Sequence, residues 1–264
     1  MLARIGLRSA ALAYLALILV APVVMVFYRT FEDGFGAFWT AITQPDALHA
    51  LYLTVIITAI AVPANTIFGV LAAMLLVRRR WRGKTVVSAL IDLPLALSPV
   101  VIGLALVLVW GQNGWFGGWL ADHGAKVIFA LPGMVLATIF VSLPFVVREV
   151  VPVLRAAGTE QEQAAATLGA SPFQTFWRIT LPAIRWGVAY GVVLTTARCL
   201  GEFGAVAVVS GKVSGRTETM TLYVENQFQR FDLVGAYSAS VVLALLAVAT
   251  VVLMTLIAPK EGTH

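Results

Sequence analysis

The sequence has few charged residues for its length. Only 12% of its 264 residues are Asp, Glu, Lys or Arg, whereas 60% are hydrophobic and the mean hydropathy is +0.91. Soluble globular domains carry about 25% charged residues, so a soluble fold would have to cover its surface with half the usual charge. The composition therefore excludes an ordinary soluble domain and predicts an integral membrane protein.

Cysteine and histidine are also scarce. Cys199 is the only cysteine, and the three histidines, His49, His123 and His264, are scattered over the chain. A single cysteine cannot form an internal disulfide, and scattered histidines do not form a Cys/His metal cluster. We therefore expect no metal site.

Motifs for catalysis or nucleotide binding are missing. The tripeptide Gly83-Lys84-Thr85 resembles the end of a phosphate-binding loop, but Arg78 stands where that loop requires its first glycine. No histidine lies well inside a predicted span, which argues against intramembrane proteolysis. We predict a chain that is not an enzyme and holds no cofactor of its own. The net charge of +5 indicates basic cytoplasmic loops rather than nucleic-acid binding.

Long apolar stretches predict the membrane spans. A bilayer core of about 30 Å requires roughly 20 apolar helical residues. Six stretches qualify, at about residues 9–28, 50–77, 86–110, 127–147, 186–210 and 233–258. They predict an all-α integral membrane fold in one transmembrane domain, residues 1–264. Prolines in or near the spans predict kinked helices around a cavity; they are Pro22, Pro63, Pro94, Pro99, Pro132 and Pro144.

The distribution of basic residues predicts the orientation. If the amino terminus is cytoplasmic, the inside segments contain Arg4, Arg8, Arg78, Arg79, Arg80, Arg82, Lys84, Arg148, Arg155, Arg178, Arg185 and Lys260. The outside segments contain only Arg29, Lys126, Lys212, Arg216 and Arg230. Because cytoplasmic loops are enriched in Lys and Arg, both termini are predicted to be cytoplasmic. The cluster between Arg78 and Lys84 is expected to face anionic membrane lipid.

The connection between the fourth and fifth spans contains a predicted helix-turn-helix, residues 159–182, which we call the bracket. Gly169 is placed to end the first helix in a left-handed conformation, and Pro182 to end the second. Each helix begins with a predicted capping box, Thr159 with Glu162 and Ser171 with Gln174. Two interpretations remain open: the bracket packs under the bundle, or another protein grips it.

The bracket resembles a known motif. The run Gln163-Ala164-Ala165, three residues, Gly169, nine residues and Ile179-Thr180-Leu181-Pro182 is similar to the EAA motif of ABC importer permeases, which docks into the ATPase subunit. The implied ATPase-coupling residues are Gln163, Ala164, Ala165, Gly169, Ala170, Ile179, Leu181 and Pro182. Gln163 replaces the usual glutamate, although Glu160 and Glu162 lie within one turn.

Further motifs extend the resemblance from about Phe31 to Ile257. They are Ile91-Asp92-Leu93-Pro94, Ser98-Pro99-Val100-Val101, Phe129 to Gly133, Phe145 to Glu149, Gly201 to Val206 and Val209-Ser210-Gly211. Together they resemble the CysW-type permease of sulfate/thiosulfate ABC importers.

The resemblance implies a type I importer fold and a set of partners. These are two ATP-binding subunits that hold ATP and Mg²⁺, a periplasmic or extracellular sulfate-binding protein, and a second permease. The second permease is either a CysT-type paralogue, which is favoured, or a second copy of this chain. The expected location is the bacterial inner membrane.

Two charges fall inside the fifth predicted span. Arg198 and Glu202 are four residues apart, so they share a helix face and can neutralise one another. A structural ion pair is favoured over a lining of the anion path. Asp92 is expected to pair with the basic cluster that begins at Arg78, and Asn65 to bond another helix in preference to the substrate.

Two rival functions remain. A molybdate or tungstate permease would share the motifs, because those anions differ from sulfate mainly in size. A secondary anion transporter would use Arg198 and Glu202 as a charge relay, but the absence of evident inverted repeats and the match to a docking motif count against it.

Overall fold

The computed structural model describes residues 8, 13–79 and 81–257. Within these residues the chain forms helices and connecting turns, and no β-strand occurs in them. The helices are α1 (Ala13–Phe31), α2 (Phe35–Ile42), α3 (Pro45–Arg78), α4 (Lys84–Ala96), α5 (Pro99–Trp110), α6 (Gly117–Asp122), α7 (Leu131–Ala156), α8 (Glu160–Thr167), α9 (Pro172–Leu200), α10 (Gly204–Val209), α11 (Met220–Gln229) and α12 (Leu233–Ile257).

The all-α membrane fold is confirmed. In the described part of the chain, five helices are long and apolar enough to cross a membrane: α1, α3, α7, α9 and α12. Helices α4 and α5 together satisfy the same test as a broken sixth span. The six predicted stretches therefore correspond to five continuous helices and one broken pair.

The third span is the main departure from the predicted helices. A single helix over 86–110 was expected, but α4 and α5 meet at 113°. Ser98 precedes Pro99 and has an extended backbone (φ −64°, ψ 135°), and Leu97 is extended as well. A residue before proline is disfavoured in the α conformation, which explains the break at this point.

The fourth and fifth spans also have different ends. Helix α7 begins at Leu131 rather than at residue 127 and continues to Ala156, past the charged Arg148 and Glu149. Helix α9 begins at Pro172 inside the bracket and ends at Leu200, after which α10 starts as a separate helix. Charge-free runs mark the apolar layer, whereas caps and glycines decide where a helix ends.

The remaining spans agree more closely with the described helices. Helix α3 covers the predicted 50–77 and begins earlier, at Pro45, a residue suited to the first helical turn. Helix α12 covers 233–257, and α1 extends to Phe31. Residues 9–12 and 258 of the predicted spans, together with Arg4, Arg80 and Lys260, lie outside the described residues.

Helices α3, α7 and α9 form the centre of the bundle. Half of the most apolar stretch of α7 is buried, against 6% for α1, which packs only on the outside. Asn65 of α3 is fully buried and its amide donates to Ser142 Oγ of α7 at 2.8 Å and to the carbonyl of Ile139 at 3.1 Å. The predicted helix-to-helix role of Asn65 is thus confirmed.

A polar segment closes the end of the bundle opposite the bracket. It includes α11, whose first residue, Met220, donates its backbone N–H to Thr54 Oγ1 of α3 at 2.9 Å. The buried carboxylate of Glu218 accepts from Ser214 Oγ at 2.7 Å and from Asn226 Nδ2 at 2.8 Å. Partial burial raises the pKa of Tyr223 in this segment. These bonds give the connection between α10 and α12 a defined shape.

Candidate functional site: the bracket and the Arg198–Glu202 pair

The turn of the bracket has the predicted geometry. Gly169 has φ +82°, in the left-handed region that favours glycine. The N–H of Gly169 donates to the carbonyl of Ala166 at 3.1 Å, and the N–H of Ala170 to that of Ala165 at 3.0 Å. This pair of bonds is a Schellman motif, which satisfies the last carbonyls of α8. The predicted end of the first helix at Gly169 is confirmed.

One of the two predicted capping boxes forms. Ser171 Oγ accepts from the backbone of Gln174, and the Gln174 side chain accepts from the backbone N–H of Ser171, at 3.3 and 3.0 Å. The box predicted for Thr159 and Glu162 is absent, because the Thr159 side chain accepts from Gln163 Nε2 instead. Glu162 faces the membrane bundle rather than its own helix start.

Glu162 ties the bracket to the bundle. Its Oε1 accepts from Arg78 Nη2 of α3 at 3.0 Å and from Thr180 Oγ1 of α9 at 2.8 Å. Arg78 also donates to the carbonyl of Leu154 in α7, at 3.2 Å. Both charged side chains are largely shielded, with 14% and 21% of their surface exposed. Three helices thus meet at this carboxylate, and Arg78 links them to a fourth, α7.

The predicted coupling residues fall into two groups. Gln163, Ala164 and Gly169 are exposed, and Ala165 and Ala170 are half-buried beside them at the turn. The other three belong to the path of α9 into the membrane: Ile179 and Leu181, both half-buried, and the exposed Pro182. Leu181 packs against the apolar cluster that contains Val150 and Ile184. The structure therefore places the first group on the exposed face of the bracket. The second group lies in the part of α9 that connects the bracket to the membrane-spanning segment.

Pro182 does not end the second bracket helix, contrary to the prediction. A π-helical turn, Phe176–Thr180, precedes it, and α9 continues without a break to Leu200. Because proline has no N–H, the carbonyl one helical turn before Pro182 lacks its usual hydrogen-bond partner. The wider π-helical turn accommodates this loss without ending the helix. The bracket and the fifth span are consequently one helix.

Exposed apolar side chains flank the Gly169 turn. Leu168 is 88% exposed and Phe173 72% exposed, and the Phe173 ring lies 6.0 Å from that of Trp177 in an edge-on arrangement. The motif did not indicate Leu168 or Phe173 as contact residues. Their sequence signal is an apolar residue on either side of a glycine turn in a polar connection.

The ion pair predicted in the fifth span is present, but Glu202 lies beyond the end of α9 at Leu200 and not on one helix face with Arg198. Arg198 Nη2 lies 2.7 Å from Glu202 Oε2, and the Glu202 side chain is 2% exposed against 29% for Arg198. The other carboxylate oxygen accepts from the backbone N–H of Ala205 at 2.9 Å, and Thr221 Oγ1 donates to the Glu202 carbonyl at 2.7 Å. Glu202 therefore joins the end of α9, the start of α10 and the start of α11.

Helix α10 packs against the broken third span. A Cβ on Gly204 would lie 2.9 Å from the Cβ of Pro99, and one on Gly103 would lie 2.8 Å from the Ala205 carbonyl. Two motifs far apart in sequence, around Ser98-Pro99 and around Glu202-Phe203-Gly204, are thus brought together.

Asp92 pairs with a different partner from the predicted one. Its Oδ1 lies 3.0 Å from Arg148 Nε of α7, and both side chains are substantially exposed. Arg78, the first residue of the basic cluster, is instead engaged by Glu162. The prediction that Asp92 pairs with that cluster is wrong, because α4 packs along α7 and carries Asp92 to Arg148.

Comparison with known proteins identifies the family. Residues 65–262 match the family described as binding-protein-dependent transport system inner membrane component. The chain belongs to this family. It is 50% identical over 258 residues to the sulfate transport system permease protein CysW of Synechocystis sp., covering 98% of this chain and 94% of that protein. It is 39% identical to the sulfate transport system permease protein CysT of Escherichia coli K12, covering 89% and 85% of the two chains.

A solved structure shares the fold of this permease. A chain of a bacterial alginate ABC transporter, in complex with an alginate pentasaccharide-bound periplasmic protein, superimposes with a TM-score of 0.78. The two chains are 17% identical, and the match covers 94% of this permease and 91% of that chain. At this identity the likeness shows the fold alone.

The permease fold explains which polar groups are available for transport. In the described residues, no three His, Cys, Asp or Glu side chains come together as a metal site. Asn65 is occupied by Ser142, and Glu202 by Arg198 and backbone groups. Among the described residues, the bracket is exposed and Arg198 is partly exposed, so both are accessible to a partner or a solute.

Proposed function

We propose that this chain is the membrane-spanning permease subunit of an ATP-driven importer of sulfate and thiosulfate. The proposed substrate rests on the similarity to a sulfate permease, at 50% identity over 98% of the chain. The exposed bracket supports the ATP-driven mechanism, because it offers a docking face that is firmly connected to the bundle. A secondary transporter has no use for such a face.

Coupling is proposed to run through the bracket. ATP and Mg²⁺ bind to two separate ATPase subunits, whose closure moves α8, and this chain catalyses no reaction itself. The contacts of Glu162 with Arg78 and Thr180 transmit that movement to α3 and α9. Since packed helices shift as rigid elements, the bundle rocks and the translocation path changes the side to which it opens.

The importer is proposed to contain two different permeases. This chain is more similar to a CysW protein than to a CysT protein, at 50% against 39% identity. A pair made of this chain and a CysT-type paralogue is consistent with that difference. A periplasmic or extracellular sulfate-binding protein delivers the anion, so affinity for sulfate resides mainly in that partner.

The proposed location is the bacterial inner membrane, with both termini cytoplasmic. The bracket and the basic residues Arg78, Arg79, Arg82 and Lys84 lie at the same end of the bundle. The enrichment of Lys and Arg at that end supports a cytoplasmic position. The ATPase then meets Leu168 and Phe173 on the side where ATP is present.

Gly169→Asp tests the docking face. The substitution puts a negative charge at the tip of the bracket. It also forces a residue with a Cβ into a left-handed backbone conformation, which costs about 1 to 2 kcal/mol. Its Cβ has open space around it, so the bundle itself has no reason to change. We expect normal membrane insertion, loss of ATPase co-purification and loss of ATP-dependent uptake of radiolabelled sulfate.

Gly124→Asp is the matched control. Gly124 also has a positive φ, +63°, and open space at its Cβ, but it lies at the other end of the bundle. This variant should keep ATPase association and uptake. Normal association in Gly169→Asp, or equal loss in both variants, would remove the docking assignment. Competition of sulfate uptake by thiosulfate and by molybdate separates the substrate alternatives.

A further inference from the structure

A cavity with three cationic side chains opens between α4 and α7. Its volume is about 370 Å³, and Lys84, Arg148 and Arg155 line it together with the hydroxyl residues Thr85 and Ser88. Asp92 is the acidic residue in its lining. Ile91 and Val147 form a buried apolar floor. We call this space the basic cavity.

The charges of the basic cavity do not balance. Arg148 is neutralised by Asp92 at 3.0 Å. Lys84 and Arg155 form no ion pair with any acidic side chain of the described residues. Two positive charges therefore face a common space, where their mutual repulsion opposes the packing of α4 on α7. An anion between them would remove that repulsion.

The position of the basic cavity matches the headgroup layer of a membrane. Lys84 is the first residue of α4 and Arg155 lies in the last turn of α7, so both stand at the same end of the two helices. Arg148 is seven residues before Arg155, or about 10 Å at 1.5 Å per residue. The polar layer on each side of a bilayer core is roughly 5 to 8 Å thick. The cavity thus extends from the membrane surface to the edge of the acyl chains.

The part of the cavity toward the bilayer centre is apolar. Val151 and Pro152 of α7 line it, and Leu95 of α4, which lies one turn beyond Ile91 on the same helix face, is 43% exposed. A free phosphate ion would gain nothing from this face, whereas the acyl chains of a lipid would cover it. The surroundings therefore favour an anion that carries hydrocarbon.

We propose that the basic cavity binds the headgroup of an anionic phospholipid. Lys84 and Arg155 hold the phosphate, Thr85 and Ser88 supply hydroxyl donors, and the acyl chains lie along Leu95 and Pro152. Basic pockets between membrane helices are suited to such headgroups. The bound lipid bridges α4 and α7 and so stabilises the start of the broken span. This site is separate from the docking face and requires neither sulfate nor ATP.

The test measures lipid retention by the intact importer complex, purified through a tag on this chain. Native mass spectrometry follows titration with phosphatidylglycerol, with phosphatidylcholine of the same acyl chains as the zwitterionic reference. We expect phosphatidylglycerol to bind more tightly. Each lost cation should weaken its binding about fivefold, the equivalent of about 1 kcal/mol per basic residue.

The variants isolate the cavity from general surface charge. The double variant Lys84→Gln, Arg155→Gln should lose the preference for phosphatidylglycerol. The charge-conserving double variant Lys84→Arg, Arg155→Lys should keep it. The matched control, Arg79→Gln with Arg82→Gln, removes two exposed cations that do not line the cavity. It should keep the preference.

Three results would each overturn the proposal. Equal loss in the control pair would show that diffuse surface charge attracts the lipid. Equally tight binding of glycerol 3-phosphate or inorganic phosphate would show a site for a free anion. Loss of ATPase co-purification in the cavity variant, with unchanged lipid retention, would show that these cations contact the ATPase.

Discussion

At the scale of single residues, Glu202 shows how a membrane protein keeps a charge inside. Its side chain is 2% exposed, and its two carboxylate oxygens contact Arg198 and the N–H of Ala205. Arg198 is 29% exposed and reaches the edge of the bundle. The two partners are therefore unequal: removal of the arginine leaves a buried anion, while removal of the glutamate leaves a cation with access to solvent.

This inequality predicts the outcome of substitutions at the pair. Arg198→Gln should reduce the amount of assembled complex strongly, because an unpaired buried carboxylate costs roughly 2 to 4 kcal/mol. Glu202→Gln should be milder, since an amide oxygen can still accept from Ala205. The double variant should recover much of the assembly and uptake lost in Arg198→Gln. Sulfate uptake, normalised to assembled complex, is the measurement.

Arg185→Gln serves as the control for this series. It removes the same charge from the same helix, but Arg185 is exposed and lies over the Trp186 ring rather than beside an acid. Assembly should be unchanged. A double variant at Arg198 and Glu202 that assembles well yet transports no sulfate would assign the pair to the anion path instead of to structure.

At the scale of elements, the attachment of α8 decides whether the bracket can transmit force. The helix is only eight residues long, and none of its residues is buried. A short exposed helix is marginal by itself, so its position depends on Glu162 and its contacts with Arg78 and Thr180. The rigidity of the bracket is therefore a property of one carboxylate and its partners on other helices.

Glu162→Ala should loosen the bracket. Loss of a charge-assisted bond costs about 1.5 to 3 kcal/mol, which predicts amide hydrogen exchange in residues 160–168 faster by at least an order of magnitude. ATP hydrolysis should continue with less sulfate moved per ATP. Exchange measured by mass spectrometry and transport in proteoliposomes give the two quantities.

Glu160→Ala is the internal control for that change. Glu160 lies on the same short helix, is exposed and forms no ion pair with the described residues. Its loss should leave both exchange and coupling close to those of the unaltered chain. If the two glutamate variants behave alike, the charge of α8 matters rather than its attachment.

At the scale of the whole molecule, one orientation accounts for the bracket, the basic residues and the polar closing segment. The bracket stands at one end of α9, and the segment with Glu218 and α11 at the other. The two ends differ in character, since one presents most of the Arg and Lys residues and the other an internally bonded polar connection. Their placement across the membrane is open to direct labelling.

Cysteine labelling tests the orientation. With a membrane-impermeant maleimide, Val213→Cys should react in intact cells whose outer envelope is permeable, because Val213 is 48% exposed at the polar end. Gln161→Cys, on the exposed face of α8, should react only after the inner membrane is opened. The unaltered chain should give no signal, as Cys199 is buried. The reverse pattern would invert the topology.

The sequence by itself determined the membrane class, the number of apolar stretches, the Gly169 turn and the Arg198–Glu202 pair, because each depends on composition or on residues a few positions apart in the chain. Only the tertiary structure decided the break at Ser98-Pro99, the continuation of α9 through Pro182, and the partners of Asp92 and Glu162. Asp92 meets Arg148 across 56 residues and Glu162 meets Arg78 across 84. Such contacts arise when helices pack side by side, and local periodicity carries no information about which helices become neighbours.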